Sequence, residues 1–392
     1  MNVSESIQYV GVVDKDLDLF EGQYEVLDGV TYNSYIILDD NIAIMDTVDA
    51  RAQEPWLKNI NNVLGDKEPT YLIVSHMEPD HGACIQILAD KYPNMKIVGN
   101  VKTFAMMKQF FDNDFLDRQV VVKEGETLNL GSHTLQFVMA PMVHWPEVMM
   151  SYELTEKVLF SADAFGKFGS SLSCDCWLDE ARRYYINIVG KYGVQVQSLL
   201  KKAKNLDIQI ICPLHGPVLK DSIEQYLHYY NLWSQYQPEE SGVVIAYASI
   251  HGHTAKAALH LAELLKENGE EVVVFDLSRV EVSYAVSAAF QYDRIVLASA
   301  SYDGGLFPPM DEFIHHLKSK NFKGHSVAFI ENGSWAPSAL KVMKSELELV
   351  KDIQFLEPMI TIRSKMNDET KQQLSILTKS IMEGGCIDEI CV

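Results

Sequence analysis

The run His76-Met77-Glu78-Pro79-Asp80-His81 places two imidazoles and two carboxylates within six residues, directly after the apolar stretch Tyr71-Leu72-Ile73-Val74-Ser75. A hydrophobic core has no use for such a cluster. Imidazole and carboxylate together form the ligand set of a divalent transition metal. The apolar stretch reads as a strand, so these ligands emerge at one rim of a sheet, where they can converge. Pro79 narrows the loop by fixing its own φ. Three further candidates stand in the same context, each where a strand gives way to a loop. His144 follows Leu135 to Ala140, in Ala140-Pro141-Met142-Val143-His144-Trp145-Pro146-Glu147. Asp163 follows Leu159-Phe160-Ser161-Ala162, and His215 follows Ile208 to Cys212 in Pro213-Leu214-His215-Gly216-Pro217. Their shared position argues for one site.

A second chemistry is written in three loops nearer the C-terminus. Ser249-Ile250-His251-Gly252-His253-Thr254 opens a helix, and hydroxyls with backbone N–H groups at a helix N-terminus make a phosphate site. Ser299-Ala300-Ser301-Tyr302-Asp303-Gly304-Gly305 offers an aromatic ring beside a flexible glycine pair. Asn332-Gly333-Ser334-Trp335 offers a second aromatic. A phosphate cradle and two aromatic loops at the carboxyl rim of a parallel sheet would hold a flavin mononucleotide (FMN). The absence of a Gly-x-Gly-x-x-Gly motif weighs against a dinucleotide. His251 and His253 either touch the flavin or fill the turn.

The elements that must position these groups fall into two rhythms. Before Gln235-Tyr236-Gln237-Pro238-Glu239-Glu240-Ser241-Gly242, a short polar stretch with Pro and Gly, strands cluster in residues 6–48 and 118–163, with helices over 51–64, 83–91 and 177–204. That pattern suits two sheets covered by helices. After it, strand and helix alternate: strands at 243–249, 271–277, 294–300 and 326–331, helices at 255–267, 310–319, 336–347 and 368–382. Alternation of this kind implies a parallel sheet with helices on both faces. The expected domains are therefore 1–242 and 243–392.

Composition narrows the class. At 392 residues, two domains are the natural reading. A net charge of −21 without a basic run argues against nucleic acid. No apolar run approaches a membrane span, and the N-terminus shows no signal peptide, so a cytoplasmic location is expected. The six cysteines do not form a secreted disulfide framework, and no Cys-x-x-Cys pair suggests a rubredoxin or iron–sulfur module. Cys84 and Cys212 read as small apolar fillers, and Cys174 and Cys176 receive no role.

The order His-x-Glu-x-Asp-His, then His, Asp and His, resembles the metallo-β-lactamase superfamily and, more narrowly, its flavodiiron branch. The C-terminal loops resemble the flavodoxin family. Zinc hydrolases of the superfamily usually carry His-x-His-x-Asp-His, whereas here Glu78 replaces the second His. The three carboxylates bring about three negative charges against the four of two Fe²⁺ ions, so a bridging hydroxide would bring the site near neutrality. Harder oxygen ligands also favour iron in its higher oxidation state. The resemblance implies an N-terminal αββα sandwich followed by a flavodoxin-like, doubly wound parallel sheet. It implies that His76, Glu78 and His144 bind one iron, that Asp80, His81 and His215 bind the other, and that Asp163 bridges them. It further implies reduction of O₂ to water, of NO to nitrous oxide, or both. Electrons would come through FMN from an external donor, by family default a rubredoxin. A head-to-tail homodimer, or a dimer of such dimers, would set the flavin of one subunit beside the diiron site of the other. Tyr184 or Tyr185 either supplies a phenol near the pocket or packs its helix. Two rival readings are a zinc hydrolase fused to a flavodoxin, which Glu78 opposes, and a non-enzymatic electron carrier or sensor, which would tolerate loss of metal ligands.

Overall fold

The computed structural model describes residues 3–113 and 115–384. Cys386 and Cys391 lie outside the described residues; Cys84, Cys174 and Cys212 form no disulfide among the described residues. The chain divides into two compact units, Met1–Asn231 and Leu232–Val392. The expected second domain, starting at residue 243, begins later than this unit does. The reason lies in pairing: the Glu239 N–H bonds Gln291 O, and the strand Glu240–Ala248 already belongs to the second unit's sheet.

In the first unit, a six-stranded sheet runs in the order Ile7–Tyr9, Tyr35–Ile37, Ala43–Met45, Tyr71–Ile73, Lys96–Gly99, Gln119–Val121. A five-stranded sheet runs Thr127–Asn129, Thr134–Met139, Met149–Glu153, Val158–Phe160, Ile210–Cys212. Side chains alternate across each strand, so each sheet has two faces to bury. Tyr35, Ile37, Met45, Ile73 and Val98 of the first sheet meet Leu135, Phe137, Met149, Val158 and Phe160 of the second in one core. The opposite parity of the second sheet, Val138, Met150 and Leu159, faces Leu199, Leu200 and Ala203 of the helix Gly193–Ala203. Two sheets buried on both faces make the αββα sandwich of the metallo-β-lactamase fold. The helix expected over 177–204 is interrupted: Trp177–Tyr184 gives way to a π-helical turn, Tyr185–Val189, and a 3₁₀ turn, Gly190–Tyr192, before Gly193–Ala203. The Asn187 side chain bonds Arg183 O within that turn. Such π turns are frequent at functional sites.

The second unit has the strand order Val272–Asp276, Glu240–Ala248, Tyr292–Tyr302, Ser326–Asn332, then Gln354–Phe355 and Ile360–Ile362 side by side along the last, all parallel. This is the flavodoxin-like order, and it reverses between Glu240–Ala248 and Tyr292–Tyr302. Val243, Ile245, Val296, Ala328 and Ile330 pack under the helices His253–Glu267 and Asp368–Glu383. The helix Val282–Gln291, absent from the sequence expectation, is rich in small residues and carries no charged one, with seven of its ten residues buried, so no charged face marks it. The helix expected from 336 starts at Ala339, because Pro337 holds the preceding chain out of helix.

Candidate metal centre and flavin pocket

The strand Tyr71–Ile73 ends, and the chain turns through His76 into the short helix Pro79–Gly82. Proline suits the first position of a helix because its missing N–H has no partner there anyway. The result separates the candidate ligands of the run. His76 and Glu78 lie before the helix, and Asp80 and His81 lie in its single turn. His81 O is held by both the N–H and the hydroxyl of Thr47.

His144 and Asp163 converge with the first pair, and His215 with the second. His76 Nε2 lies 3.1 Å from Glu78 Oε2 and 3.3 Å from Asp163 Oδ2, while His144 Nε2 lies 3.0 and 3.1 Å from the same two oxygens. Across the site, His81 Nε2 and His215 Nε2 are 3.0 Å apart, each 3.2 Å from Asp80 Oδ2. Asp163 Oδ1 reaches this second group at 3.3 Å from His81 and 3.9 Å from His215. All seven sequence candidates thus gather into two groups that share the Asp163 carboxylate.

These spacings fit a metal. Ligands about 2.1 Å from an ion and at right angles to each other are about 3.0 Å apart, so the donor separations are edges of coordination polyhedra. The buried oxygens Asp80 Oδ1 and Asp163 Oδ1 accept no hydrogen bond among the described residues, leaving their charge for a cation. Without metal, protons must answer that demand. Burial works against charge on the His81 and His144 rings, but the carboxylates outweigh it and hold His81 up at about 10 and His144 at about 9. Burial likewise opposes ionisation of Asp80, yet the His81 and His215 rings hold its carboxyl far below the usual range.

Neighbours that the sequence did not single out aim these ligands. Glu147 Oε1 accepts from His76 Nδ1 at 2.8 Å and from the Met77 N–H at 2.9 Å. Thr31 O accepts from His215 Nδ1 at 2.7 Å. In both rings Nδ1 is thereby the donor and Nε2 is left free to bind a metal. Asp46, raised by burial to about 6, accepts from the Ser75 N–H at 2.6 Å and braces the start of the ligand loop. Gly166 is required by close approach: a Cβ there would stand 2.9 Å from Asp163 O and 3.4 Å from His215 Cβ. Glu147 stands three residues after His144, a spacing visible in the sequence; Thr31 meets the His215 ring through its backbone carbonyl, while its hydroxyl accepts the Gly216 N–H at 2.6 Å.

Aromatic rings wall the site. Trp145 stands edge-on to His76 with centroids 5.2 Å apart, and Phe20, on the hairpin of Leu19–Phe20 and Tyr24–Glu25, stands edge-on to His215 at 5.2 Å. Of the two candidate phenols, Tyr184 packs on His215 at 5.7 Å, and burial with the nearby carboxylates raises its hydroxyl far above the ordinary range. Tyr185 turns instead to Tyr230, at 4.9 Å, and the Tyr230 hydroxyl accepts the Phe165 N–H. Consecutive residues on a helix point about 100° apart, so these adjacent tyrosines meet different neighbours. Glu78 and Asp80 keep 16 and 13% of their side-chain surface exposed, so the site opens on their side.

In the second unit the three loops meet around one cavity of about 700 Å³. It is lined by Ser249, His251, His253 and Thr254, by Ser301, Tyr302, Asp303 and Gly304, and by Asn332, Gly333, Ser334 and Trp335. Of the sequence candidates, Gly252 and Gly305 are not in the lining; Gly252 caps the helix His253–Glu267 at φ +81°, and Gly305 pairs with Tyr302 in a two-residue strand. Ser364, beyond the strand Ile360–Ile362, joins the lining and was not foreseen. The cavity lies where the strand order reverses, at the carboxyl ends of the strands. Trp335 is 88% exposed and Tyr302 45%, so two aromatic faces border the cavity. Its volume and these faces fit a flavin mononucleotide.

Residues 30–216 match the family model described as ODP family beta lactamase, and residues 244–374 match the flavodoxin domain model. The chain is 30% identical over 362 residues to an uncharacterized protein of Methanocaldococcus jannaschii, covering 91% of this chain and 90% of that one. It is 28% identical over 393 residues to a nitric oxide reductase of Moorella thermoacetica, covering 97% of each. Among solved structures, the rubredoxin oxygen:oxidoreductase of Desulfovibrio gigas matches with a TM-score of 0.91 at 25% identity, covering 98% of each chain. The flavodiiron protein of Giardia intestinalis shares the fold with a TM-score of 0.90 at 23% identity, over 97% of this chain and 96% of that one.

The chain belongs to the flavodiiron protein family. As a flavodiiron protein it is an oxidoreductase, with a flavodoxin domain of the kind that takes FMN and a ligand cluster of the kind that takes two metals. Among its described residues, no helix is long and apolar enough to cross a membrane.

Proposed function

We propose that this flavodiiron protein reduces O₂ to water, NO to nitrous oxide, or both, using electrons from an external donor such as rubredoxin. The observation that carries the reading is the pair of ligand groups, His76-Glu78-His144 and Asp80-His81-His215, joined through Asp163. Two iron ions in these groups would supply reducing electrons and open coordination positions, and FMN in the flavodoxin-like cavity would relay electrons to them. Asp163 would hold one oxygen toward each metal. Glu78 in place of a neutral imidazole adds one negative charge that favours oxidised iron. Phe20, Tyr184 and Trp145 give the pocket apolar walls, which suit a small uncharged gas and keep bulk water away. Of the two candidate phenols, Tyr184 is the one whose ring packs on His215, which supports it over Tyr185 as a phenol near the pocket. The reading includes a head-to-tail homodimer, or a dimer of such dimers.

Anaerobic steady-state kinetics with each gas, on protein verified to carry iron and FMN and with reduced rubredoxin as donor, test the reading. Turnover with at least one gas, in protein holding about two irons per chain, is the expected result. Two zinc ions per chain, with hydrolysis of lactams or thioesters restored by zinc alone, would overturn it.

A further inference from the structure

His215 lies in the buried loop Pro213-Leu214-His215-Gly216-Pro217, beyond the strand Ile210–Cys212. Carbonyls outside a strand ladder still need donors once they are buried. Three in this loop find them on one residue. Asn33 Nδ2 donates to Pro213 O at 2.8 Å and to Gly216 O at 2.9 Å, and the Asn33 backbone N–H donates to Leu214 O at 2.8 Å. Asn33 is fully buried, between the strands Val30–Tyr32 and Tyr35–Ile37. Its Oδ1 accepts the hydroxyl of Tyr9, on the strand Ile7–Tyr9, at 3.0 Å. Carbonyl oxygens only accept, so the two loop contacts fix which way the amide points.

We infer that Asn33 is a positioning residue for His215, holding the loop on both sides of the ring so that Nε2 meets the second metal. This rests on the diiron reading above and names what fixes one of its candidate ligands. The Nδ1 bond to Thr31 O sets the rotation of the ring, but the backbone sets the place of its Cα. There Asn33 grips the residues two before and one after His215 with a single rigid group. Other contacts hold one end each: the Tyr35 hydroxyl donates to Pro213 O at 3.1 Å, and Thr31 Oγ1 accepts the Gly216 N–H at 2.6 Å. The Leu214 N–H reaches across to Ala162 O at 2.9 Å, beside Asp163, so the gripped loop also sets the spacing of two candidate ligands. The residue type is as specific as the place. A planar amide with two donors and one acceptor belongs to asparagine, and to glutamine one methylene further out. Aspartate would set a negative charge against two carbonyl oxygens, and alanine would withdraw the donors altogether. Metal ligands must be held within about 0.5 Å of their working geometry, so a slack loop costs affinity at this metal first.

The test uses the iron-loaded full chain as wild type, Asn33→Ala and Tyr9→Phe. A chelator titration counts the irons still bound per chain, and wild type should begin with about two. In Asn33→Ala one iron should leave at about thirtyfold lower chelator concentration, while the other leaves as in wild type. Tyr9→Phe removes only the bond that steadies the amide and should shift the same iron about threefold. The iron of His76, Glu78 and His144 is the internal control, because a general loosening of the fold releases both irons together. The EPR signal of the half-reduced iron pair should change shape in Asn33→Ala, since it reports ligand geometry. Asn33→Ala decides where it folds, and Tyr9→Phe where it does not. Parallel release of both irons in the deciding variant, or release of both as in wild type, refutes the role of Asn33. If wild type binds fewer than two metals, the diiron reading fails, and the role of Asn33 with it.

Discussion

Removing the charge of Glu147 should loosen one metal and spare the other. Its Oε1 accepts from both His76 Nδ1 and the Met77 N–H, and carboxylate and ring are almost wholly buried. Glu147→Gln keeps an oxygen at that place but turns a charge-assisted bond into a neutral one. Bonds to charged groups contribute about 1.5–3 kcal/mol and neutral ones about 0.5–1.5, so the His76 bond loses about 1–1.5 kcal/mol. A weaker acceptor at Nδ1 makes Nε2 a poorer ligand by a comparable amount, which is about tenfold in metal affinity. Glu147→Ala removes the acceptor altogether, and about a hundredfold is expected. The other group has its own brace, Thr31 O on His215, which does not involve Glu147. Chelator competition on the iron-loaded protein should therefore show two phases, with only the metal of His76, Glu78 and His144 released more readily. Equal weakening of both metals, or no change in either, would refute the assignment of Glu147 as the residue that orients His76.

Asp163→Asn should disturb both metals at once, since its two oxygens face different groups; iron analysis should show well under two irons per chain, and full retention would deny the bridge. In the flavodoxin-like unit, burial holds the His325 imidazole down at about 4, with its ring stacked on Phe322 at 4.4 Å. A depressed histidine contributes stability that is complete above the unfolded value near 6.5 and is lost as pH falls through the folded value. About 3 kcal/mol should go between pH 6.5 and 4, a slope that His325→Gln removes, as thermal melts across that range will show. Co-expressing a metal-dead variant (His81→Ala with His144→Ala) and a flavin-dead variant (Thr254→Glu) should restore partial gas reduction if flavin and metal centre meet across a head-to-tail dimer. Mixed dimers as inactive as either parent would exclude that arrangement.

Residue type and position along the chain were enough to mark the seven candidate ligands. Imidazoles and carboxylates at strand ends are costly unless something uses them, so they stand out without coordinates. The alternating strands and helices after residue 243 likewise announced a parallel sheet, because periodicity is a local property. Tertiary structure decided what depends on distance between remote segments. It sorted the run His76 to His81 into two groups by coiling Pro79–Gly82, and it brought Asp163 between them. It packed the Tyr184 ring on His215 and the Tyr185 ring on Tyr230, a difference that the adjacent positions alone do not reveal. It also supplied Thr31 O, Ser364 and the contact of Glu147 with His76, since a backbone carbonyl or a lone serine carries no distinguishing chemistry until the fold sets it against another group. The helix Val282–Gln291 stayed hidden because it carries no charged residue, so no charged face marks it in the sequence.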